Sequence, residues 1–408
     1  MSLEIRSITD DEVERSQYIR SYSFNQQNRR DLREAVERDR QFYPLDWSLA
    51  TFEDGEMTAF MRTTPFAMRV NGRALSFGMV GPVVCMPEHR RKGHVGAMLR
   101  RAIADMHERG QVISGLGTPH PNLYRKYGWE IAAAYRVYSF PPKEITLLAQ
   151  PGERGRFRML APEDWAVCDR VYRRWGAKRN GPLHRGSVWW QHAIFGITQP
   201  LPSDVAVWED GTGEAQGYVV YAQPNTEDGR HDFGSSFVVR ELVAATPDAY
   251  LNLIAFVCRH DLPEKITWAA PEDDPFRSLV VDNFKIEVKE DYGMLLRVID
   301  VEAALRGRAP AHPEWQGALT LRFTDSTAPW NEGTWRVEVS DGEMAVEPST
   351  AEPDLSMSAT AFAPVYNGYA PASALALGGL IDAKNEEALA TADEMFSVLH
   401  PPYNSDPF

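Results

Sequence analysis

The 408-residue chain contains 43% hydrophobic residues and has a formal net charge of −14 at pH 7. This length exceeds one ordinary hydrophobic core and predicts two or three globular domains. The charge is +3 for residues 1–150, −6 for residues 151–300 and −11 for residues 301–408. Such acidity argues against a nucleic-acid-binding protein and weakly favours a cationic substrate, while the slightly basic first third suits a polyphosphate cofactor.

The sequence shows no signal for export or for a membrane span. The N-terminal residues contain no apolar run fit for a secretion signal, and the apolar stretch Ala374–Ile381 is far too short to cross a bilayer. We therefore expect a cytoplasmic protein. Cys85, Cys168 and Cys258 are far apart, and neither a Cys-x-x-Cys nor a His-Glu-x-x-His pattern occurs. These spacings predict no disulfide framework and no metal site.

The first 140 residues predict a mixed α/β domain. Apolar residues at helical spacing indicate helices, and runs of apolar and β-branched residues indicate strands. The predicted helices are Asp11–Ser23 and Asp31–Arg40. The predicted strands are Ile5–Ile8, Trp47–Glu53, Glu56–Phe66, Val70–Val84, Gln111–Gly115 and Glu130–Phe140.

One segment of this domain joins a strand to a helix through a basic turn that contains glycine. Val84 belongs to the strand, which Pro87 ends, and an apolar stripe from Val95 to Met106 predicts the helix. The turn Arg90-Arg-Lys-Gly93 therefore precedes a helix N-terminus, where amide groups lack partners and the helix dipole is positive. Such a turn can hold phosphate, and Gly93 lets the backbone approach it closely. The alternative is a solvated basic helix start.

A second domain begins after Pro141-Pro142 and the charged stretch Pro151–Arg156, and it repeats the first. Phe157–Trp165 resembles the opening strand and helix, and Arg240–Phe256 follows the pattern of Gly81–Leu99 without the Arg-Arg-Lys-Gly insert. Three later segments keep the order of the first domain: Lys265–Pro271, Pro275–Leu279 and Phe284–Val298. We interpret this as a duplicated domain whose second copy lost the phosphate turn. Chance similarity between two βαβ stretches is the alternative.

The last third predicts a small α+β domain. After a short helix that ends at Leu305, alternating apolar and polar residues with Asp-Gly and Asn-Glu-Gly turns indicate an antiparallel meander. Its strands are Gly317–Thr324, Gly333–Ser340 and Glu343–Pro348, and helices follow at Thr360–Tyr366, Ala372–Leu377 and Glu386–Phe396. The prolines and aromatics of the tail His400–Phe408 suggest that it packs against a neighbouring domain. The fold class is α+β (mixed α/β), with domains at residues 1–148, 149–298 and 299–408.

The basic turn resembles the acetyl-CoA motif of the GNAT acetyltransferases, which has Arg or Gln, two residues, Gly, one residue, and then Gly or Ala. Arg90 and Gly93 fit; Val95 takes the last small position, and Gly96 follows it. The domain order is similar to that of the Eis (enhanced intracellular survival) family, as are His89-Arg-Arg-Lys-Gly93, Leu123-Tyr-Arg-Lys-Tyr-Gly128, Arg240-Glu-Leu-Val243, Met294–Leu305 and the terminal Phe. The resemblance implies tandem GNAT domains, a sterol-carrier-protein-like domain, aminoglycoside or protein-lysine N-acetylation, and a homo-oligomer, specifically a hexamer.

The resemblance also implies roles for individual residues. The strand backbone of Val84, Cys85 and Met86 would bind the pantetheine arm of acetyl-CoA. The pyrophosphate would be held by the turn and the first helical residues, which are Arg91, Lys92, Gly93, His94, Val95, Gly96 and Ala97. Pro119 and His120 match a third cofactor contact, where Ser-Glu is common. Tyr124 matches the general acid, and the terminal carboxylate of Phe408 matches the general base.

Elementary chemistry agrees with the last two roles. When an amine attacks a thioester, the leaving thiolate has a conjugate acid with a pKa of about 8.5, and a phenol with a pKa of about 10 can protonate it. A free α-carboxylate is ionised at neutral pH and can accept the proton of the amine. The alternatives are that Tyr124 packs its helix against the sheet and that Phe408 belongs to a frayed terminus.

Three functions remain under consideration. The leading hypothesis is acetyl-CoA-dependent N-acetylation of a primary amine on a cationic small molecule or a protein lysine. The second is a lipid-binding protein in which the third domain is active and the other two are scaffold. The third is a regulatory module that senses acetyl-CoA without turnover. Because only the first copy of the domain retains the Arg-Arg-Lys-Gly turn, the enzyme hypothesis is favoured over the other two.

Overall fold

The computed structural model describes residues 3–24, 44–152, 154–196, 203–223 and 237–407. The helix predicted at Asp31–Arg40 and the terminal Phe408 lie outside these residues. The chain divides into two compact units. One is Met1–Ala132 with Met294–Val398 and Phe408, and the other is Ala133–Gly293 with Leu399–Pro407.

The elements up to residue 132 are β1 (Leu3–Arg6), α1 (Val13–Ser23), β2 (Ser48–Glu53), β3 (Glu56–Val70), β4 (Arg73–Cys85), α2 (His94–Glu108), β5 (Ile113–Leu116), α3 (Pro121–Arg125) and β6 (Glu130–Ile131). Those of residues 133–293 are β7 (Ala134–Phe140), β8 (Gly155–Met159), α4 (Trp165–Trp175), β9 (Asp204–Asp210), β10 (Ala215–Ala222), β11 (Phe237–Ala244), α5 (Pro247–Cys258), β12 (Ile266–Pro271), α6 (Phe276–Leu279) and β13 (Glu287–Tyr292). A short helix, Ser187–Trp189, and a π-helical turn, Trp190–Ile194, precede β9.

The remaining elements begin at residue 294. They are β14 (Leu295–Val298), α7 (Val301–Gly307), β15 (Gly317–Thr324), β16 (Gly333–Ser340), β17 (Glu343–Pro348), β18 (Leu355–Ser358), α8 (Ala359–Asn367), α9 (Ala372–Leu377), β19 (Ile381–Ala383) and α10 (Glu386–Met395). The predicted mixture of helices and strands is confirmed. No helix within the described ranges has the length and apolar character needed to cross a membrane.

The first unit contains a seven-stranded sheet in the order β1-β2-β3-β4-β5-β14-β6. β3 and β4 form a long hairpin, and its turn residues Asn71 and Gly72 both have positive φ, as a tight two-residue hairpin turn requires. β4 and β5 are parallel and are connected by α2. This helix buries the predicted apolar stripe, since Met98, Leu99, Ala102, Ile103 and Met106 are fully buried. The predicted strand–turn–helix is confirmed.

The strand predicted at Glu130–Phe140 is in fact two strands that belong to two different sheets. β6 pairs with β14 in the first sheet, whereas β7 pairs with β12 and β13 in the second. Conversely, β14 follows β13 in the sequence but pairs with β5. Each sheet thus contains one strand from the other sequence repeat. The sheets divide the chain near residues 132 and 293, and the domain boundaries at 148 and 298 stay predictions.

The second unit contains a seven-stranded sheet in the order β13-β7-β12-β11-β10-β9-β8. β11 and β12 are parallel and are connected by α5, which is the arrangement of β4, α2 and β5 in the first sheet. The core contains Tyr138, Trp268 and Phe276, whose rings are in mutual contact. The two repeats therefore share one architecture.

The third sheet, in the first unit, has the order β17-β16-β15-β18-β19. Its meander β15-β16-β17 has the bounds that the sequence predicts. The parallel pairing of β15 with β18 was not predicted, because Leu355–Ser358 is only four residues long. Buried Arg308 joins this domain internally by donating to the carbonyl groups of Tyr366, Met395 and Phe396.

Candidate active site

The parallel strands β4 and β5 separate within the first sheet. Their last registered pair is Met79–Gly115, and β5 ends one residue later at Leu116, while β4 continues to Cys85. Beyond Met79, therefore, one backbone edge of β4 faces a gap among the described strands. Crevices outside the carboxyl ends of parallel strands are the usual ligand sites of open sheets that contain crossover helices.

Three predicted cofactor contacts lie at the end of β4. Val84, Cys85 and Met86 are each more than nine-tenths buried, and the Met86 amide donates to the Thr58 carbonyl of β3 at 3.0 Å. Pairing with β3 thus occupies one edge of this segment, and no described strand pairs with the opposite edge. Burial raises the pKa of the Cys85 thiol, despite the nearby Arg90, so this cysteine is protonated at neutral pH.

The turn after β4 presents a helix N-terminus. The Arg90 guanidinium donates to the Cys85 carbonyl at 3.2 Å, and Arg91 and Gly93 have positive φ values of 65° and 91°. The first intrahelical bond joins the Ala97 amide to the Gly93 carbonyl, so the preceding amides have no acceptor within α2. A Cβ built on Gly93 would have no heavy atom within 4 Å, so the turn is open. Anions bind at such ends.

Gly96 allows the segment that contains Tyr124 and Tyr127 to approach this turn closely. A Cβ at Gly96 would lie 2.1 Å from the Tyr127 hydroxyl oxygen, and the Arg100 guanidinium lies 5.2 Å from the centre of the Tyr127 ring. The prediction that Gly96 keeps the first helical turn slim is confirmed, and the reason is this close approach. Because Tyr127 lies two residues after the end of α3, the turn before α2 and the segment that contains Tyr124 lie close together.

His94 contributes a buried anchor to the start of α2. Its Nδ1 lies 2.6 Å from the Thr58 hydroxyl, which lies 2.8 Å from the Thr51 hydroxyl. Burial lowers the pKa of His94, although Glu53 opposes this, so the imidazole is neutral at pH 7. The imidazole therefore fixes the helix, and the backbone amide is the group that His94 has available for a pyrophosphate.

Lys92 makes contacts of its own beside the turn. Its ammonium lies 3.3 Å from Glu53 Oε2 and 3.4 Å from His89 Nδ1, and these two atoms lie 2.9 Å from each other. Burial raises the pKa of the Glu53 carboxyl, but the hydrogen bonds and charges of Lys92 and His89 together lower it by more. The pKa is therefore below its ordinary value, and the carboxyl is ionised. Lys92 is about half exposed and can exchange this carboxylate for a phosphate.

One group of residues has metal-ligand geometry. Glu53, His89 and His94 each offer a ligand atom, and these atoms lie within 4.8 Å of one another. The sequence does not reveal this group, because Glu53 at the end of β2 is far along the chain from His89 and His94. The Lys92 ammonium already contacts two of its three members, and Thr58 bonds the third, so these residues do not fit a resident metal ion. The expected absence of a metal stays a prediction.

Tyr124 lies in α3, the first helix after β5. Only 7% of its surface is exposed, and its ring meets Trp129 edge-on at a centroid distance of 6.4 Å. Burial raises the pKa of the Tyr124 phenol to about 12. Within the described residues its hydroxyl has no hydrogen-bond partner, so its proton is available to a ligand. Pro119 and His120 precede α3 and are exposed, and the His120 amide donates to the Thr118 hydroxyl.

The corresponding helix of the second repeat is closed. The Thr246 hydroxyl accepts from the Ala249 amide at 3.2 Å, and Pro247, which has no amide proton, takes the first helical position. Asp248 places a carboxylate in the first turn, where it accepts from the Gly152 amide at 2.9 Å. A helix end with its own side-chain cap and carboxylate has little to offer a phosphate.

Comparisons with known proteins identify the domains of this chain. Residues 4–132 and residues 181–298 each match a family described as acetyltransferase (GNAT) domain, and residues 301–405 match a sterol carrier protein domain family. The internal repeat is therefore a pair of GNAT domains. The predicted order of a tandem GNAT pair and a sterol-carrier-protein-like domain is confirmed.

Related proteins align with this chain over most of their length. An uncharacterized N-acetyltransferase of Streptomyces coelicolor is 26% identical over 375 residues, or 89% of this chain and 90% of that protein. The N-acetyltransferase Eis of Mycobacterium tuberculosis is 25% identical over 77% of this chain and 76% of its own. The crystal structure of Eis1 from Mycobacterium abscessus is 25% identical and aligns with a TM-score of 0.82 over 99% of this chain and 100% of its own. The chain is an Eis-like GNAT acyltransferase.

In this Eis-like protein, the described C-terminal tail packs on the second GNAT domain. Within the second unit, the Tyr403 hydroxyl donates to the Ala269 carbonyl at 3.0 Å. Fully buried Arg185 binds Asp406 Oδ1 at 2.7 Å and both carboxylate oxygens of Glu241, at 3.0 and 2.6 Å. Breaking such a buried ionic cluster costs about 3–5 kcal/mol. The predicted packing of the tail is confirmed through Asp406.

Sequence reasoning did not identify Arg185 or its acidic partners. Arg185 lies in an irregular stretch between helices, and Glu241 and Asp406 are 56 and 221 residues further along the chain. The Eis-like motif Arg240-Glu-Leu-Val243 contains one of them. The available signal was the charged pair Arg240-Glu241 within a strand whose other residues are apolar, because a charged side chain is rarely buried without a partner.

Proposed function

We propose that this protein transfers the acetyl group of acetyl-CoA to a primary amine on a cationic small molecule of aminoglycoside or polyamine type, or on a protein lysine. The observation that carries the proposal is the contrast between the two GNAT domains. The first has an open helix N-terminus with Gly93 in the left-handed region, and the second is closed by Thr246, Pro247 and Asp248. One functional cofactor site per chain follows.

The cofactor proposal uses the geometry of β4 and α2. The pantetheine arm, which carries two amide groups, would extend the sheet by pairing with the exposed edge at Val84, Cys85 and Met86. The pyrophosphate would then reach residues 91–97, whose amides and helix dipole favour negative charge. The Lys92 ammonium lies beside this turn, so it can leave the Glu53 carboxylate and bind a phosphate oxygen instead. Pro119 and His120 remain candidates for a third contact, and their exposure supports contact with a ligand.

In the proposed reaction, the lone pair of the amine attacks the thioester carbonyl carbon. A carbon–nitrogen bond forms, the carbon–sulfur bond breaks, and its electron pair remains on sulfur. The Tyr124 phenol protonates the thiolate, and the Phe408 carboxylate accepts the proton that the amine loses. Solvent then returns a proton to the phenolate, which restores the acid.

The high pKa of Tyr124 limits how this proton moves. A phenol with a pKa of about 12 is about 3.5 units weaker than a cysteine-like thiol, which corresponds to about 5 kcal/mol if the thiolate is in water. A thiolate formed in the same buried site is also destabilised, just as burial raises the pKa of Cys85. We therefore infer that proton transfer accompanies the breaking of the carbon–sulfur bond.

The base proposal is supported by the tail that leads to Phe408. This residue lies outside the described range, but its neighbours up to Pro407 belong to the second unit. Asp406 is held by Arg185, and the Asn404 side chain donates to the Gly181 carbonyl at 2.7 Å. The residues that precede Phe408 are thus held in place, and a general base must be held in a defined position.

The acceptor proposal is supported by charge. Residues 301–408 carry 16 acidic and 5 basic residues, and the whole chain has a net charge of −14. Such a field concentrates cations near the protein and repels polyanions. A polycationic amine therefore fits better than a neutral amine. Hexamer formation and a cytoplasmic location are proposals that rest on the family resemblance and on the sequence.

The test is a steady-state assay of CoA release with an aminoglycoside, a polyamine and a lysine peptide as acceptors. Tyr124→Phe should lower kcat by about 10²- to 10⁴-fold and leave the Kd for acetyl-CoA unchanged. Tyr221→Phe is the matched control, because burial also raises the pKa of Tyr221 to about 12, and it lies in the second sheet. No turnover with any acceptor, or a wild-type rate for Tyr124→Phe, would refute the assigned reaction or the assigned acid, respectively.

The lipid-carrier alternative rests on the similarity of the third domain to sterol carrier proteins. Aromatic side chains pack together in the core of that domain: the centre of the fully buried Phe362 ring lies 4.6 Å from that of Phe323 and 5.6 Å from that of Phe396. A thermal-shift comparison separates the two functions. Acetyl-CoA at about 100 times its Kd should stabilise the protein by about 2.7 kcal/mol, and fatty acids should not.

A further inference from the structure

Arg297 is a fully buried arginine in the strand that the first sheet takes from the second repeat. It lies on β14, opposite Ser114 of β5, and its side chain has no exposed surface. A charged group in a sheet interior is costly unless other groups compensate it. Its Nε has no hydrogen-bond partner within the described residues, so the compensation is incomplete. A buried group with an unmet hydrogen bond calls for a reason other than stability alone.

One partner of Arg297 is the turn that carries the proposed general acid. Arg297 Nη1 donates to the Tyr127 carbonyl at 2.5 Å. Gly128 makes this approach possible: its φ is +89°, and a Cβ at this position would lie 1.5 Å from Arg297 Nη1. The guanidinium thus fills the space that a side chain would need. The motif Leu123-Tyr-Arg-Lys-Tyr-Gly128 ends in glycine for this reason.

This contact holds the position of Tyr124 through the backbone. The Tyr127 amide donates to the Tyr124 carbonyl at 2.9 Å, and the Trp129 amide donates to the same carbonyl at 3.3 Å. The Arg297 guanidinium also lies 5.7 Å from the centre of the Trp129 ring, against which the Tyr124 ring packs. Residues 124–129 therefore form a closed turn that Arg297 fixes at its carbonyl end.

The second partner of Arg297 belongs to the third domain. Arg297 Nη2 donates to Asp325 Oδ2 at 2.7 Å, and both side chains are buried. Asp325 Oδ1 accepts from the amides of Thr327 and Ala328, and Oδ2 also accepts from the Asn331 side chain at 3.0 Å. The loop after β15 thus fixes the carboxylate, and the carboxylate fixes the guanidinium.

We propose that Arg297 and Asp325 are positioning residues for the general acid, so that the sterol-carrier-like domain takes part in acetyl transfer by fixing the Tyr124 turn. This rests on the proposed function of Tyr124. Loss of Asp325 leaves the Arg297 charge without its carboxylate and frees the guanidinium to shift from the Tyr127 carbonyl. Misplacement of a catalytic group by about 1 Å costs on the order of 10²-fold in rate.

The experiment is a double-mutant cycle of Asp325→Asn and Tyr124→Phe in the full-length protein, with kcat and the Kd for acetyl-CoA measured for each variant. Asp325→Asn keeps the shape of the side chain and removes its charge. We expect kcat to fall by about 10- to 100-fold, with the Kd unchanged. In the Tyr124→Phe background the same substitution should have no further effect, because the hydroxyl that it misplaces is already absent.

Two controls keep this test decisive. Asp354→Asn changes another carboxylate of the third domain, which accepts from the Thr320 amide and does not contact Arg297; it should leave kcat unchanged. Thr327→Val removes only the hydroxyl that donates to Asp325 Oδ1 at 3.0 Å. It should lower kcat in the same direction by a smaller factor, and it replaces Asp325→Asn in the cycle if that variant does not fold.

The outcomes separate the two proposals. Suppose that Tyr124→Phe slows the enzyme and that adding Asp325→Asn, or Thr327→Val in its place, lowers kcat by the same factor as in the wild-type background. This result would overturn the positioning role and leave Tyr124 as the acid. A parallel loss of kcat and of acetyl-CoA affinity in the single variant also overturns it, since that pattern indicates general disruption of the domain. A wild-type rate for Tyr124→Phe removes the acid assignment and, with it, this inference.

Discussion

Replacement of Gly93 by glutamate should weaken acetyl-CoA binding by about 100-fold relative to replacement by glutamine. Gly93 has φ +91° and ψ −1°, and a Cβ there would have open space around it. Both side chains therefore fit, and both strain the backbone equally, by about 1–2 kcal/mol for a residue in the left-handed region. The difference between the two variants isolates the charge at the helix N-terminus.

The magnitude follows from electrostatics. If the turn holds the pyrophosphate, a carboxylate on residue 93 lies about 6 Å from a phosphate charge, and at an effective dielectric constant of about 20 the repulsion is about 3 kcal/mol per unit charge. This corresponds to about 100-fold in Kd. Because the site is open to solvent, the factor should shrink when salt shortens the screening length to about 3 Å at 1 M.

Isothermal titration calorimetry of acetyl-CoA into the wild type and the alanine, glutamine and glutamate variants measures this factor. One binding site per chain is expected, since the second GNAT helix is closed by Asp248 and its neighbours. The melting temperatures of the three variants should fall together below that of the wild type, because the strain is shared. Equal affinity of the glutamate and glutamine variants would show that the pyrophosphate binds elsewhere.

Three further outcomes are expected. A C-terminal extension, or deletion of Phe408 so that the carboxylate moves to Pro407, should lower turnover by at least about 10²-fold without changing acetyl-CoA affinity; equal activity to an N-terminally extended protein would remove Phe408 from the mechanism. The kcat profile should show no alkaline loss from Tyr124 up to about pH 10, because burial raises its pKa to about 12; a loss near pH 9 would identify another acid. Burial raises the pKa of Asp274 to about 6 although the Phe276 amide and the Tyr250 hydroxyl oppose it, and the unfolded value is about 3.9. The stability that its proton confers is thus lost as pH rises from about 4 through 6, and Asp274→Asn should raise the melting temperature at pH 8 but not at pH 4; a gain of equal size at both pH values would contradict this sign.

The local elements of this protein were accessible from its sequence. The helix His94–Glu108 follows from a stripe of apolar residues at helical spacing, and the meander Gly317–Pro348 follows from alternation and turn residues. The open turn before this helix was also accessible, because a basic segment with glycine between a strand and a helix is a local pattern. These features depend on residues that are near one another in the chain, so they can be predicted from the sequence of that segment alone.

The composition of the sheets depended on the tertiary structure. Glu130–Phe140 has a continuous strand pattern, yet its two halves pair with different sheets, and Leu295–Val298 crosses back to pair with β5. The pattern of apolar residues shows which face of a strand is buried, but it does not show which other strands will pair with its two edges. Partner choice is made by the three-dimensional packing of the whole unit.

The candidate site divides in the same way. Tyr124 and the residues around Gly93 were found from local motifs, because a phosphate turn and a short helix are built from consecutive residues. The buried contacts around them were not found: Arg297 is 170 residues from the Tyr127 carbonyl and 28 residues from Asp325, and Arg185 is 221 residues from Asp406. Ion pairs of this kind have no period or spacing in the sequence. They exist only because folding removes water from charges that the chain keeps far apart, and each charge then requires the partner that the tertiary structure provides.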